Sequence, residues 1–320
     1  MDIWQKLTKP IFILAPMEDV TDTVFRQILL TTGRPDIFFT EFTNVDGLFS
    51  QGENIVAKRL QFTASEKPII AQIWGLKPEN FCKAAQKIGE MGFDGIDLNM
   101  GCPQHDVTSH GACSALIKNH SLATEIIKAT QEGAAGKMPV SVKTRIGFHT
   151  MQTDEWIGFL LEHNLSALTI HGRTVKEMSK VPAHWDEIGK AKVLRDKIAP
   201  KTLIIGNGDV MTVAEAQEKV TQYGLDGIMI GRGIFHNPWL FNPKINPETQ
   251  TLTVRLEILH KHVALYNKTW GKQKQYPTLK KYFKIYLSGF DGAAEIRNQF
   301  METNTPEEAL QLAQRLISSK

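Results

Sequence analysis

The sequence predicts an α/β protein: a (β/α)8 barrel of the TIM type over residues 1–243, followed by a small all-helical domain over residues 244–320. Three observations carry this expectation. Eight short apolar runs recur between longer amphipathic stretches, polar residues gather where those runs end, and past the Pro- and Asn-rich stretch "NPWLFNPKINPETQ" only helical periodicity continues. A doubly wound dinucleotide-binding sheet is the structural rival. It wants G-x-G-x-x-G after a strand, and neither "GNGDVM" nor "GRGIFH" supplies the third glycine.

In chain order the expected strands are "IFILAP" (11–16), "DIFFTEF" (36–42), "PIIAQIW" (68–74), "GIDLNM" (95–100), "PVSVKTR" (139–145), "ALTIHG" (167–172), "TLIIGNG" (202–208) and "GIMIG" (227–231). Between them, residues 78–91, 119–132 and 213–222 repeat apolar side chains at a period near 3.6 and are expected to be helices. Beyond the linker, Leu256, Leu259, Val263 and Tyr266 share one helical face, and Leu279, Phe283, Tyr286 and Phe290 another. Thr305, Pro306 and Glu308 read as a capping box with proline at the first position of the last helix.

Composition bounds the function class. With 42% hydrophobic and 22% charged residues the chain is ordinary for a soluble protein, and no run approaches the roughly 20 apolar residues of a membrane span. The start, "MDIWQKLTKP", has an acid at position 2 and no apolar core of a secretory leader, so a cytoplasmic protein is expected. Cys82, Cys102 and Cys113 do not make a disulfide framework. A net charge of +3 does not by itself argue nucleic-acid binding.

In such a barrel the chemistry sits at the C-terminal ends of the strands. Those ends carry Ala15, Pro16 and Met17, then Gln72, Asn99 followed by Cys102, Lys143 and Arg145, His171, Asn207 with Gly208 and Asp209, and finally Gly231, Arg232 and Gly233. "GNGD" and "GRG" fall where barrels build phosphate sites from backbone N–H groups, and Arg232 would add a charge-assisted contact. Lys143 would be a cation in the mouth, which suits a flavin, because reduced flavin gathers negative charge at N1 and O2.

Cys102, His105, His110 and Cys113 have a zinc-like look, but finger ligands pair across a longer stretch, and no metal is expected. Cys82 and Cys113 read as plain helix-core thiols. Cys102 differs. It follows a strand end and a glycine turn and precedes a proline, which puts it on a loop over the mouth as a candidate acid.

Between Arg255 and Lys284 the basic residues are Arg255, Lys261, Lys268, Lys272, Lys274, Lys280, Lys281 and Lys284, against Glu257 as the only acid. Tyr266, Trp270, Tyr276, Tyr282 and Phe283 interleave them, a pattern that suits a phosphate backbone and unstacked bases, or a lysine-rich bundle whose aromatics pack inward.

"LAPMEDVTD", "DLNMGCP", "VKTRIGF", "IHGRT", "IGNGDV" and "GIMIGRG", in this order, closely resemble the tRNA-dihydrouridine synthases. The resemblance implies an FMN-binding barrel with an RNA-recruiting helical domain. It implies that hydride passes from the flavin to uracil C6 while Cys102 protonates C5, and that Asn99, Arg145 and His171 hold the uracil or line the flavin. Ala15, Pro16, Met17, Gln72, Lys143, His171, Asn207, Gly208, Asp209, Gly231 and Arg232 would hold FMN. NADPH or NADH would be the transient electron donor and tRNA the partner, contacted by Lys272, Lys274, Lys280, Lys281, Lys284 and Arg297. Neither a membrane nor an obligate protein partner is implied. The chain departs from the family in two places: Gln104, His105 and Asp106 stand where basic residues are common, and Cys113 where glycine is common. The rival functions are dihydrouridine synthesis in ribosomal RNA, a flavin barrel reducing a free small molecule, and an RNA-binding protein with a silent barrel.

Overall fold

The computed structural model describes residues 2–319, which group into two compact units. The first comprises Met1–Glu18 and Pro35–Gly231, the second Asp19–Arg34 and Arg232–Lys320.

The strands of the first unit are β1 (Ile11–Leu14), β2 (Phe38–Phe39), β3 (Thr43–Asn44), β4 (Ile69–Trp74), β5 (Gly95–Met100), β6 (Val140–Arg145), β7 (Ala167–His171), β8 (Leu203–Asn207) and β9 (Gly227–Ile230). All pair in parallel in the order β1-β9-β8-β7-β6-β5-β4-β2, and a bridge between Ile13 and Ile37 brings the two ends of the sheet together as a barrel. The expected second strand is split. The amide of Gln72 donates to the Thr40 hydroxyl (3.1 Å) instead of to a carbonyl, which breaks the ladder, and pairing resumes where Thr43 and Asn44 meet Ile73 and Trp74.

Register decides what the barrel interior holds. Partners in a parallel ladder face the same way, and residues two apart on a strand share a face. Ile11, Ile13, Ile37, Phe39, Ile70, Ala167, Leu203, Ile205 and Met229 form the apolar interior, covered by Trp4 from the short helix Ile3–Lys6. Two residues on from Ile70 comes Gln72, paired with Asp97, and Asn99 pairs with Lys143. Arg145, His171 and Asn207 are likewise neighbours across β6, β7 and β8. The interior therefore turns from apolar to polar toward the C-terminal ends of the strands.

The expected helices form as Pro78–Glu90, His120–Ala134 and Val213–Tyr223. Asn119 and Thr212 cap the latter two by accepting the amides of Leu122 and Glu215. The first two helices approach so closely at Gly133 that a Cβ there would lie 2.2 Å from the Cys82 carbonyl oxygen and 2.8 Å from the Ala85 Cβ. Cys82 itself is half-buried on the Pro78–Glu90 helix, which corrects its expected core placement.

The 243/244 boundary falls inside the second unit, which begins at Arg232 and also takes in residues near the N-terminus. Asp22 explains this. It caps the helix Thr23–Thr32, and its buried carboxylate accepts from Trp270 Nε1 (2.8 Å) and Lys274 Nζ (2.9 Å). Tyr282 Oη donates to the Val20 carbonyl (2.7 Å), and Phe25 packs against its ring. The long helix Leu252–Trp270 buries Leu256, Leu259, Val263 and Tyr266 as expected. The next segment is a 3-10 turn, Tyr276–Tyr282, and a short helix, Phe283–Tyr286, with Phe290 beyond it, so the expected second face is not one continuous helix. Thr305 caps Pro306–Ser318, but the Glu308 carboxylate takes the Asn304 amide (2.6 Å), so the capping box is half formed. No described helix is long and apolar enough to cross a membrane.

Candidate active site

Asn99 ends the inward-facing row of β5, and its Oδ1 accepts the amides of Gly101 (3.1 Å) and Cys102 (3.0 Å). This folds the chain over the strand end. Gly101 lets the turn lie close to the next strand, since a Cβ there would sit 3.3 Å from the Lys143 carbonyl oxygen and the Thr144 Cα, a tight contact. Ser114 Oγ donates to the Cys102 carbonyl (2.7 Å), so the cysteine is held on both sides of its backbone. Arg145 Nε donates to the Gly101 carbonyl (2.9 Å) and Nη1 to those of Thr174 (3.0 Å) and Met178 (2.9 Å). Arg145, expected to touch a substrate, is thus also a strut between the Cys102 turn and the loop after β7.

Burial pushes the Cys102 thiol above its ordinary pKa, outweighing the pull of the Gln104 amide and of the Arg145 and Lys143 charges. At neutral pH it carries its proton, which makes it a donor and a poor nucleophile. Lys143 is half-buried one strand away, and its Nζ donates to Asn207 Oδ1 (3.2 Å). Asn207 in turn donates to the Met229 carbonyl (2.7 Å). Burial and the nearby Arg145 depress the Lys143 pKa to about 8, with Asp97 and Cys102 opposing. Lys143 therefore remains mostly a cation at neutral pH.

Sequence reasoning missed Asp97. It is fully buried, accepts from Ser141 Oγ (2.6 Å) and Gln72 Nε2 (2.7 Å), and its pKa is raised to about 6 by burial, against those two bonds and the Lys143 charge. The signal was its spacing two residues before Asn99, which puts both on the interior face. Gln72, expected to touch a cofactor, has its amide engaged from both ends, since its Oε1 also accepts from Asn99 Nδ2 (3.2 Å).

At the far side of the mouth, His171 Nε2 meets Arg173 Nη1 (3.1 Å), and Arg173 is ion-paired with Asp209. Arg173 also escaped the sequence reading. Asp209 accepts the Ala183 amide (2.8 Å). A Cβ on Gly208 would meet that of Ala183 at 2.7 Å, and φ is +134° there, so glycine is required by space and conformation together. Ala15 closes β1 by donating its amide to the Ile230 carbonyl (2.8 Å), with Pro16 and Met17 following. Gly231 ends the first unit and faces Ala15, and Arg232 opens a short 3-10 helix, Arg232–Phe235.

His105 and His110 are exposed, and His110 Nδ1 is bonded to the Asp106 carbonyl (2.7 Å). Cys113 is buried at φ +52°, a left-handed conformation that glycine adopts more readily than cysteine. In the basic segment the aromatics are corrected from base-stacking candidates to core: Tyr266, Trp270, Tyr276, Tyr282 and Phe283 are all buried. Arg255 is buried too, donating to the Pro247 and Tyr286 carbonyls. Lys274 is ion-paired with Asp22, while Lys280 and Arg297, both half-exposed, donate to the Met301 and Leu287 carbonyls. Lys272, Lys281 and Lys284 are exposed.

Solved structures similar to the first unit's architecture include morphinone reductase (TM-score 0.51, 14% identity, 72% of this chain and 84% of that one). Another is 2-naphthoyl-CoA reductase (TM-score 0.58, 12% identity, 77% and 53%). At such identities the likeness is one of fold. Sequence relatives are far nearer. A "Probable tRNA-dihydrouridine synthase" of Staphylococcus aureus is 46% identical over 311 residues, spanning 96% of this chain and 93% of the relative. The "Probable tRNA-dihydrouridine synthase 2" of Bacillus subtilis is 46% identical over 310 residues, spanning 96% and 94%. The family model described as dihydrouridine synthase matches residues 13–320, a span that includes every strand-end residue described above. With that coverage and those relatives, the chain belongs to the dihydrouridine synthase family.

Proposed function

We propose that this protein reduces the C5–C6 double bond of a uridine in tRNA to 5,6-dihydrouridine, with FMN as resident cofactor and NADPH or NADH as transient electron source. The observation that carries the reading is the placement of the Cys102 thiol, pinned by Asn99 and Ser114 on the turn after β5, on the same barrel mouth as the half-buried Lys143. The donor set fits a flavin: Lys143 is a half-buried cation, Arg145 a buried one, and His171 adds a ring nitrogen, a surplus of positive and donor groups suited to an anionic ring. Lys143, Asn207, His171 and the Gly208–Asp209 and Gly231–Arg232 turns would hold it.

Bound there, FMN supplies the hydride for C6. Cys102 holds the proton for C5, and its elevated pKa keeps that proton in place until carbanion character develops at the ring. Asn99 fixes where the thiol sits. Arg145 keeps the turn closed by holding the Gly101 carbonyl. In the second unit the exposed Lys272, Lys281 and Lys284, with the half-exposed Lys280 and Arg297, form the RNA-facing set, and Lys274, already neutralised by Asp22, contributes less than expected. The uridine must leave its stack to reach a barrel mouth, which favours a loop position.

The test is anaerobic. Protein reduced with NADPH is mixed with unmodified tRNA transcript, while flavin absorbance and dihydrouridine in the digested RNA are followed together. Wild type is expected to reoxidise with one dihydrouridine per flavin. Cys102→Ala is expected to slow that step by about 10²–10⁴-fold while its reduction by NADPH persists. Reoxidation at the wild-type rate in Cys102→Ala would remove the thiol from the mechanism.

A further inference from the structure

An ionised carboxylate only accepts hydrogen bonds, so a buried one dictates which way its partners face. Asp97 is such a group, and it stands at the head of a single chain of bonds. Its Oδ2 takes Gln72 Nε2 (2.7 Å), which leaves Gln72 Oε1 turned toward Asn99 Nδ2 (3.2 Å). Asn99 Oδ1 is thereby turned toward the amides of Gly101 and Cys102 (3.1 and 3.0 Å). Each amide side chain would otherwise be free to flip, since its oxygen and nitrogen ends are alike in shape. A flip at Asn99 would aim an NH2 group at two N–H groups and push the Cys102 turn off the strand. Gln72 is wholly buried, so a lost partner there is costly.

We infer that Asp97 is a positioning residue for the reaction proposed above: through Gln72 and Asn99 it sets the polarity of the relay that ends on the Cys102 backbone. This inference rests on the reading of Cys102 as the proton donor. Ser141 bonds the other carboxylate oxygen (2.6 Å) and lies off the path to Cys102, which makes it the natural control.

The experiment compares Asp97→Ala, Asp97→Asn, Ser141→Ala and Cys102→Ala in the flavin-loaded enzyme. Three readouts are taken: flavin reduction by NADPH, reoxidation by tRNA and, in the proteins that keep Cys102, its iodoacetamide alkylation rate measured by peptide mass spectrometry. Asn in place of Asp97 can still accept from Gln72 while its NH2 faces the Ser141 hydroxyl, so it should keep the relay and stay within about threefold of wild type. Asp97→Ala is expected to slow reoxidation by about tenfold or more, to leave reduction by NADPH within about threefold, and to raise Cys102 alkylation by about tenfold as the turn loosens. Ser141→Ala should move none of these by more than about threefold. If Asp97→Ala does not fold, Gln72→Met breaks the next link at similar volume and must reproduce the slowed reoxidation, taken relative to its own rate of flavin reduction, and the faster alkylation of Cys102.

Unchanged reoxidation and unchanged alkylation in a folded Asp97→Ala or Gln72→Met protein would overturn the relay. So would a failure of Asn to restore what Ala loses. The reading of Cys102 fails separately, in Cys102→Ala reoxidising normally, and the alkylation readout then still reports on the relay alone.

Discussion

The half-buried Lys143 and the buried Asp97 are ionisable groups of opposite sign whose pKa values converge, the lysine falling to about 8 and the acid rising to about 6. Each is desolvated first and partly rescued by the other. For Lys143 the sign is plain: its folded pKa lies below the ordinary value, so its charge is present below about pH 8 and lost as pH rises through it. NADPH-dependent reduction of the flavin, which builds negative charge on the ring, should accordingly be fastest near neutrality and decline above about pH 8. Lys143→Met should be slow throughout and lack that step. Stopped-flow reduction across pH 6–10 (roughly two pH units either side of the value) checks this. A wild-type profile flat to pH 10 would deny Lys143 the role. The site's legibility at this scale was uneven. Asn99, Cys102, Lys143 and His171 could be found because they are polar residues closing apolar strands. Asp97 was passed over, because an acid in mid-strand reads as the outward-facing half of an alternation unless it is counted two residues back from Asn99. The Arg145 side chain could be placed at the mouth, but its carbonyl partners Thr174 and Met178 lie on another loop and leave no mark in the sequence near it.

The elements that the sequence located well are those with a long unbroken period or a strong cap. Pro78–Glu90 and Val213–Tyr223 end within a residue of expectation. The failures have local causes. The Thr40 hydroxyl divides the second strand, and a pattern of apolar residues three and four apart over 276–290 is met equally by an α-helix and by a 3-10 turn running into one. Gly133 gives the sharpest prediction among the elements. Alanine has the better helix propensity by about 1 kcal/mol, yet its Cβ would collide with the Cys82 carbonyl, so Gly133→Ala should destabilise the first unit by about 1–3 kcal/mol. Denaturant unfolding would show it as a lower midpoint with an unchanged slope. A rise in the midpoint would mean the two helices part without cost.

At the scale of the molecule, the RNA-facing proposal rests on charge presented to solvent, since the aromatics once available for stacking are core. Reversing Lys281 and Lys284 together to glutamate should weaken tRNA binding by about tenfold or more at low salt and make it less salt-dependent, while NADPH oxidation is unchanged. Unaltered binding in a filter or fluorescence assay would move the RNA face elsewhere. The barrel and the helical tail were both legible, because eight strand signals followed by none is a coarse pattern that survives local errors. That the tail's unit also claims Asp19–Arg34 was not, because the Asp22 contacts with Trp270 and Lys274 join residues about 250 positions apart.

That excursion also sets a timetable for synthesis. Thr23–Thr32 leaves the ribosome roughly 220 residues before the helix Leu252–Trp270 that will cover it, a wait of about 10–45 s at ordinary elongation rates. β1 waits nearly as long for β9. Both units thus stay open at their N-terminal end until translation is almost complete, and the nascent chain must shelter an apolar helix and a bare strand edge for that interval, which is the condition under which chaperone engagement matters most.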